Sequence, residues 1–137
     1  MPGTWTVLVV DDLPLTRATL RKFLRSAASR AICEDPHFPK VKVIEATNGL
    51  EALERLRAYP VDLIYLDLFM PQMDGLTFLA EKAKVDEWGE IPVVVCTSQG
   101  ERTAKEEAET LGAVAFCEKP LQSAVIAEKL YEAVATR

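Results

Sequence analysis

Five residues of this sequence have the side-chain types that phosphoryl chemistry requires: Asp11, Asp12, Asp67, Thr97 and Lys119. Each closes or closely follows a short apolar segment. Three carboxylates crowded together repel one another, and their oxygens favour a hard divalent cation, Mg²⁺ or Mn²⁺. Beside such a cation a carboxylate can attack phosphorus, while an ammonium and a hydroxyl contact the phosphoryl oxygens. The five residues therefore predict a cation-dependent site that forms an aspartyl phosphate.

The apolar segments that precede these residues are predicted to be strands, over residues 5–10, 41–45, 62–66, 92–97 and 114–117. Two of them, Val7-Leu8-Val9-Val10 and Val93-Val94-Val95-Cys96, are apolar at every position, which is typical of parallel strands covered on both faces. The segments between the strands carry apolar residues at helical spacing. These are Leu20, Phe23, Leu24 and Ala27 in the first helix, Leu50 and Leu53 in the second, Leu76, Leu79, Ala80 and Ala83 in the third, Ala104, Ala108 and Leu111 in the fourth, and Ile126, Leu130 and Ala133 in a fifth over 121–135. Strict alternation predicts a doubly wound α/β fold.

That fold brings residues from distant parts of the chain to one edge of the sheet, because ligands bind beyond the carboxyl ends of parallel strands. An alternative interpretation is that each aspartate only caps the helix after it, as Asp12 before Pro14 could do. Capping does not explain Asp67, because Leu68-Phe69-Met70-Pro71 follows it instead of a helix start. The sequence therefore favours one shared site.

The connection over residues 29–40 is longer than usual and is predicted to be a surface loop, because it holds two prolines and several charges. Cys33 and His37 lie in it, but two soft ligands without two more make a poor zinc site. Trp88 is interpreted as local packing. Gly112, which follows Leu111, is predicted to mark a helix C-terminus.

Composition restricts the class of protein. With 137 residues and a formal net charge of −5, the chain is predicted to be a single domain, with no output domain, that binds neither nucleic acid nor an anionic membrane. It has no apolar run of the roughly 20 residues that span a bilayer, and no secretory signal at its start. Its cysteines, Cys33, Cys96 and Cys117, form no Cys-x-x-Cys motif. These features predict a reduced, cytoplasmic protein. We also expect it to be monomeric or weakly dimeric.

Five motifs in order resemble the receiver domain of two-component response regulators, the CheY-like domains. They are Asp11-Asp12, Asp67 with Met70-Pro71, Asp74-Gly75, Thr97-Ser98, and Phe116-Cys117-Glu118-Lys119-Pro120. The resemblance covers essentially the whole chain. It implies a flavodoxin-like (βα)5 fold with five parallel strands in the order 2-1-3-4-5.

The resemblance also implies a role for each site residue. Asp67 would accept a phosphoryl group from a phosphohistidine on a sensor histidine kinase or a histidine phosphotransfer protein. Mg²⁺ would be held by Asp12, Asp67 and the backbone carbonyl of Phe69, with Asp11 assisting through water. Lys119, in a cis bond to Pro120, would contact the phosphoryl group. Further contacts would come from the Thr97 hydroxyl and from the backbone N–H groups of Ser98 and Phe69.

Thr97 and Phe116 would form a switch pair that controls the face made of the fourth predicted helix, the fifth strand and the fifth helix, where a downstream protein binds. An ordinary core aromatic is the alternative for Phe116. Phe69 departs from the family pattern, because the family often has a polar residue at this position. We hypothesise that Phe69 and Gln99 flank the path of a hydrolytic water and so change the lifetime of the phosphorylated state.

Other functions remain alternatives. A haloacid-dehalogenase-type phosphohydrolase also forms an aspartyl phosphate, but that family has Asp-x-Asp after its first strand and a cap domain. In this sequence Asp11 and Asp12 are adjacent, and no segment forms a cap. A flavodoxin-like FMN carrier needs a Ser/Thr-Gly-rich phosphate loop at this place. A degenerate receiver that works without phosphorylation is a further alternative, although every chemical residue is present.

Overall fold

A computed structural model of the chain describes residues 3–98 and 102–136. Its strands are β1 (Thr4–Val10), β2 (Lys40–Ala46), β3 (Leu63–Leu66), β4 (Val93–Thr97) and β5 (Ala115–Glu118). Its helices are α1 (Pro14–Glu34), α2 (Gly49–Ala58), α3 (Gly75–Ala83), α4 (Asp86–Gly89), α5 (Arg102–Thr110) and α6 (Ser123–Ala135). All strand pairs are parallel, and the sheet order is β2-β1-β3-β4-β5. The predicted fold and strand order are confirmed.

Apolar packing on both faces of the sheet explains why β1 and β4 are apolar throughout. Alternate residues of β1 point in opposite directions, so Val7 and Val9 pack on one side and Leu8 and Val10 on the other. The first side contains buried residues of α1 and α6, namely Leu20, Leu24, Ile126 and Leu130. The second contains buried residues of α2, α3 and α5, namely Leu53, Phe78, Leu79, Ala104 and Ala108. Because all five strands are parallel, their carboxyl ends lie at the same edge of this packed sheet.

The prediction of a long surface loop is wrong for its first half. Helix α1 continues to Glu34, and only the short stretch between Glu34 and Lys40 connects it to β2. The helix stops there because Pro36 disfavours helical backbone at the residue before it, Asp35. Cys33 and His37 are both exposed, and they belong to no cluster of potential metal ligands among the residues that the structure describes.

Three helical details differ from the sequence-based expectation. Ala83, predicted on the apolar stripe of the third helix, is exposed. Leu50 is 47% exposed and does not belong to the buried face of α2, which consists of Gly49, Ala52, Leu53 and Leu56. The one-turn helix α4 is not predicted by apolar spacing. Its Trp88 packs against the core, and the Arg57 guanidinium lies 5.9 Å from the ring centroid, so the interpretation as local packing is confirmed.

Gly112 ends the turn after α5 with a backbone φ of +105°, a conformation that glycine adopts without a steric penalty. Its N–H donates to the carbonyl of Glu109 at 3.0 Å. The predicted helix C-terminus is therefore confirmed. Residues after this turn enter β5, which carries Phe116 and leads to Lys119.

A groove of about 800 Å³ lies at the edge of the sheet where the strands begin, opposite the edge formed by their carboxyl ends. Both tryptophans, Trp5 and Trp88, line it, together with residues that precede β3 and β4, such as Asp62 and Pro92. Among the helices formed by residues 3–98 and 102–136, none has the length and apolar character needed to cross a membrane.

Candidate functional site

Three carboxylates meet at the carboxyl edge of the sheet. Asp11 and Asp12 follow β1, Asp67 follows its neighbour β3, and the Asp67 N–H donates to the carbonyl of Val10 at 2.9 Å. One ligand oxygen from each aspartate lies within 4.8 Å of the others. Asp11 and Asp67 are buried and Asp12 is partly exposed. Within residues 3–98 and 102–136 no other cluster has three possible metal ligands of this kind.

Lys119 reaches the same cluster from the loop after β5. Its Nζ lies 2.9 Å from Asp11 Oδ2 and 3.6 Å from Asp67 Oδ2, so the ammonium bridges two carboxylates. The Lys119–Pro120 bond is cis, as the resemblance implies. Burial alone would lower the pKa of Lys119, but the hydrogen bond to Asp11 and the charge of Asp67 raise it above its ordinary value. Lys119 is therefore charged at neutral pH.

Burial raises the pKa of the Asp67 carboxyl above its ordinary range, although the Lys119 ammonium opposes the shift. The charge of Asp11 raises it further. Three carboxylates and one ammonium leave an excess of negative charge in a largely buried place. Hard oxygen ligands with excess negative charge are the donor set that Mg²⁺ prefers, so the residues fit this ion.

The β3–α3 loop lies against the backbone of Asp67. The Phe69 N–H donates to Asp67 Oδ1 at 3.3 Å, and the Phe69 side chain is 51% exposed beside it. At the start of α3, the Gly75 N–H donates to the carbonyl of Leu68 at 2.9 Å. A Cβ at Gly75 would lie only 2.6 Å from the Asp67 carbonyl oxygen. Glycine at this position therefore lets α3 begin directly against the candidate acceptor.

Thr97 ends β4 with its side chain fully buried. Across the described part of the chain, its Oγ1 is the only buried side-chain oxygen or nitrogen without a hydrogen-bond partner. Ser98, the next residue, is exposed, and Gln99 lies outside the described residues. Phe116 pairs in register with Val95 and is partly buried against the core on the α5 side. The proposed movement of Thr97 and Phe116 stays a prediction.

Sequence reasoning missed one residue of this region, Arg17. Its Nη1 donates to the backbone carbonyl of Asp11 at 2.8 Å, and its Nε donates to Glu45 Oε1 at 3.0 Å. The signal was present in the predicted topology. A side chain one turn into the first helix lies over the end of the neighbouring strand, where Glu45 stands.

Comparison with known proteins assigns the family. The response regulator receiver domain model matches residues 7–131. Chemotaxis protein CheY of Thermotoga maritima is 32% identical over 124 residues, which cover 90% of this chain and 92% of that protein. Sensor histidine kinase CheAY of Helicobacter pylori is 33% identical over 122 residues, which cover 87% of this chain. The chain spans only 14% of the length of that kinase.

Solved structures share the fold. The chemotaxis response regulator CheY4 of Vibrio cholerae superposes with a TM-score of 0.77 at 24% identity, covering 95% of this chain and 98% of that one. The receiver domain of a sensor histidine kinase from Pseudomonas aeruginosa superposes with a TM-score of 0.80 at 19% identity, covering 96% and 98%. That receiver has a magnesium ion coordinated in its active-site cleft. The family match, the CheY relative and the shared fold together show that this chain belongs to the response regulator receiver domains, the CheY-like phosphoacceptors of two-component systems.

Proposed function

We propose that this receiver is a signalling switch in which Asp67 accepts a phosphoryl group from the phosphohistidine of a sensor histidine kinase or a histidine phosphotransfer protein. The observation that carries the proposal is the cluster of three carboxylates within 4.8 Å, with the Lys119 ammonium bridging two of them. Asp67 is buried and directly follows β3, the middle strand of the sheet.

The residues present would hold Mg²⁺ or Mn²⁺ through Asp12, Asp67 and the backbone carbonyl of Phe69, with Asp11 acting through water. The bound ion would offset the negative charge of the transferring group. A carboxylate oxygen of Asp67 forms a bond to phosphorus as the bond from phosphorus to the donor imidazole nitrogen breaks. Lys119 lies close enough to Asp67 to pair with the new phosphoryl group. The Phe69 N–H already donates to Asp67 Oδ1, and the Ser98 N–H would supply a further contact.

The output is proposed to run through Thr97. Its buried hydroxyl has no partner among the described residues, so a phosphoryl oxygen on Asp67 offers it one. Movement of Thr97 would vacate space for the ring of Phe116, and this would change the face formed by α5, β5 and α6 (the fourth and fifth helices of the sequence prediction). That face would bind a downstream cytoplasmic protein. The chain would then catalyse its own phosphotransfer and dephosphorylation and no other reaction.

Intact-mass measurement after incubation with Mg²⁺ and acetyl phosphate tests the proposal. We expect the unaltered protein to gain one phosphoryl group and Asp67→Asn to gain none. Asp86→Asn, which changes an exposed aspartate outside the cluster, is the matched control and should react normally. EDTA should abolish the reaction because it removes the divalent ion. Failure of the unaltered protein to react would contradict the proposal.

Peptide mapping of the product separates the proposal from the phosphohydrolase alternative. A phosphoryl group on Asp67 supports a receiver. A phosphoryl group on Asp11 or Asp12, together with turnover of phosphate monoesters, would instead indicate a haloacid-dehalogenase-type reaction, since that family uses a nucleophile after the first strand.

A further inference from the structure

Arg17 binds the peptide group that joins the two adjacent aspartates. Its Nη1 donates to the Asp11 carbonyl oxygen at 2.8 Å. The Asp11 N–H donates to the carbonyl of Ala46 at 3.2 Å, and the Asp11 carboxylate accepts from the Leu13 N–H and from Lys119. The Asp11 carbonyl shares one planar peptide unit with the Asp12 amide. The direction of the Asp11 carbonyl therefore helps to set where the carboxylates of Asp11 and Asp12 lie.

Glu45 holds the Arg17 side chain, which is 14% exposed. The Arg17 Nε donates to Glu45 Oε1 at 3.0 Å, and a planar guanidinium held at Nε has its Nη1 direction fixed as well. The second carboxylate oxygen of Glu45 pairs with Arg21. The backbone carbonyl of Glu45 accepts a hydrogen bond from Arg55 Nε at 3.0 Å. Because Glu45 directly precedes Ala46, one short piece of β2 supports the Asp11 backbone from both sides.

We propose that Arg17, oriented by Glu45, is a positioning residue that sets the arrangement of Asp11 and Asp12 and so strengthens divalent-cation binding by the three carboxylates. It touches neither the cation nor the phosphoryl group. This inference rests on the proposed function, in which the cluster holds Mg²⁺. Residues that orient metal ligands from outside the coordination sphere typically change metal affinity by about 10–100-fold when they are removed.

Charge alone predicts the opposite effect. Arg17 is a permanent cation, so its removal makes the surroundings of the cluster more negative and favours Mg²⁺ by Coulomb's law. A weaker Mg²⁺ affinity without Arg17 therefore identifies orientation as the cause. An ion pair that only stabilised the fold would change thermal unfolding in EDTA and leave the affinity of the folded protein unaltered.

Isothermal titration calorimetry with MgCl₂ on the full chain tests the positioning role. We expect Arg17→Gln to weaken Mg²⁺ binding about tenfold. Arg17→Lys keeps the charge but lacks the planar fork, so it should restore only part of the affinity. Glu45→Gln should weaken binding in the same direction. Arg25→Gln removes the same charge from an exposed position on α1 and should leave binding unaltered.

The proposal is overturned if folded Arg17→Gln binds Mg²⁺ as tightly as the unaltered protein, or if Arg25→Gln loses as much affinity. Circular dichroism in EDTA checks folding. If Arg17→Gln is unfolded, Arg17→Lys decides because it keeps the charge and loses the planar fork, and undiminished affinity in that variant overturns the positioning role. Absence of Mg²⁺ binding by the unaltered protein contradicts the proposed function itself, so the two failures are distinguishable.

Discussion

The backbone N–H of Lys119 donates a 2.8 Å hydrogen bond to the carbonyl oxygen of Thr97. This bond continues the parallel pairing of β4 with β5 beyond the end of β5. It therefore joins the residue that would neutralise the phosphoryl group to the residue that would report its presence. The two residues are thus directly linked through their backbones.

Thr97→Val should stabilise the unphosphorylated protein. A buried polar group without a hydrogen bond costs about 1–3 kcal/mol, and valine keeps the shape while removing the hydroxyl. We expect the free energy of unfolding, measured with urea, to rise by about 1 kcal/mol. Thr97→Ser, which retains the hydroxyl, should show no gain. Destabilisation by Thr97→Val would show that the hydroxyl is hydrogen-bonded in solution.

Phe69→Asn should shorten the lifetime of the phosphorylated protein. The Phe69 N–H donates to Asp67 Oδ1 and its side chain is half-exposed. On our hypothesis its ring restricts the approach of water, whereas an amide would orient a water molecule. We expect phosphate loss on the order of tenfold faster, which is below the range typical of a full general base. The measurement is phosphate release after removal of acetyl phosphate. Val114→Asn, a polar change at an exposed residue distant from the site, is the control, and equal rates in all three proteins would refute the effect.

Gly75→Ala should distort the backbone of Asp67, the proposed acceptor. The added Cβ would meet the Asp67 carbonyl oxygen at 2.6 Å and the Leu68 Cα at 2.7 Å, and both are backbone atoms that cannot rotate away. We expect a loss of about 1–3 kcal/mol in the free energy of unfolding and slower phosphorylation by acetyl phosphate. Gly89→Ala is the matched control, because its Cβ would meet nothing within 4 Å. Normal phosphorylation of Gly75→Ala would show that α3 can shift freely.

Asp67→Asn should make the metal-free protein more stable at neutral pH. The pKa of Asp67 is raised by burial, so the folded protein disfavours the charged carboxylate more than the unfolded chain does. The charged Asp67 carboxylate destabilises the folded protein fully at pH values above its raised pKa. This effect disappears as the pH falls below the ordinary pKa of an aspartate. Thermal unfolding in EDTA across this range should therefore show an advantage of Asp67→Asn that vanishes in acid.

Adding Mg²⁺ should reduce that advantage. An ion that binds only the folded state raises stability, and the unaltered protein keeps all three carboxylates that would bind it. Asp86→Asn is the control for removal of an exposed carboxylate outside the cluster. A constant difference between Asp67→Asn and the unaltered protein across the range would contradict the assigned role of Asp67 ionisation.

The strands are predictable from sequence to within one residue at each end because continuous apolar runs and their bounding polar residues are local signals. Helix ends are harder to predict from sequence. The last turns of α1 carry exposed residues such as Ile32 and Cys33, so apolar spacing does not reveal them. In α2, Leu50 fits the helical period but lies in the first turn, beyond the edge of the buried layer.

The site is predictable where side chains come directly after strands, because parallel pairing alone brings Asp11, Asp67 and Lys119 together. The predicted topology places the first turn of α1 near the end of β2, but the support of the Asp11 peptide by Arg17 also depends on the reach and rotamer of a long side chain, which no local pattern encodes. The missing partner of the Thr97 hydroxyl is likewise a property of three-dimensional packing.

The groove that contains both tryptophans has a practical consequence for spectroscopy. An indole emits according to its immediate surroundings, and Trp5 and Trp88 lie at the edge of the sheet opposite Asp67. We therefore expect intrinsic fluorescence to report unfolding of the whole domain and not to change when the carboxylate cluster is filled. A reporter of phosphorylation has to be introduced, and the half-exposed ring of Phe69 is where an indole would sense the acceptor without entering the core.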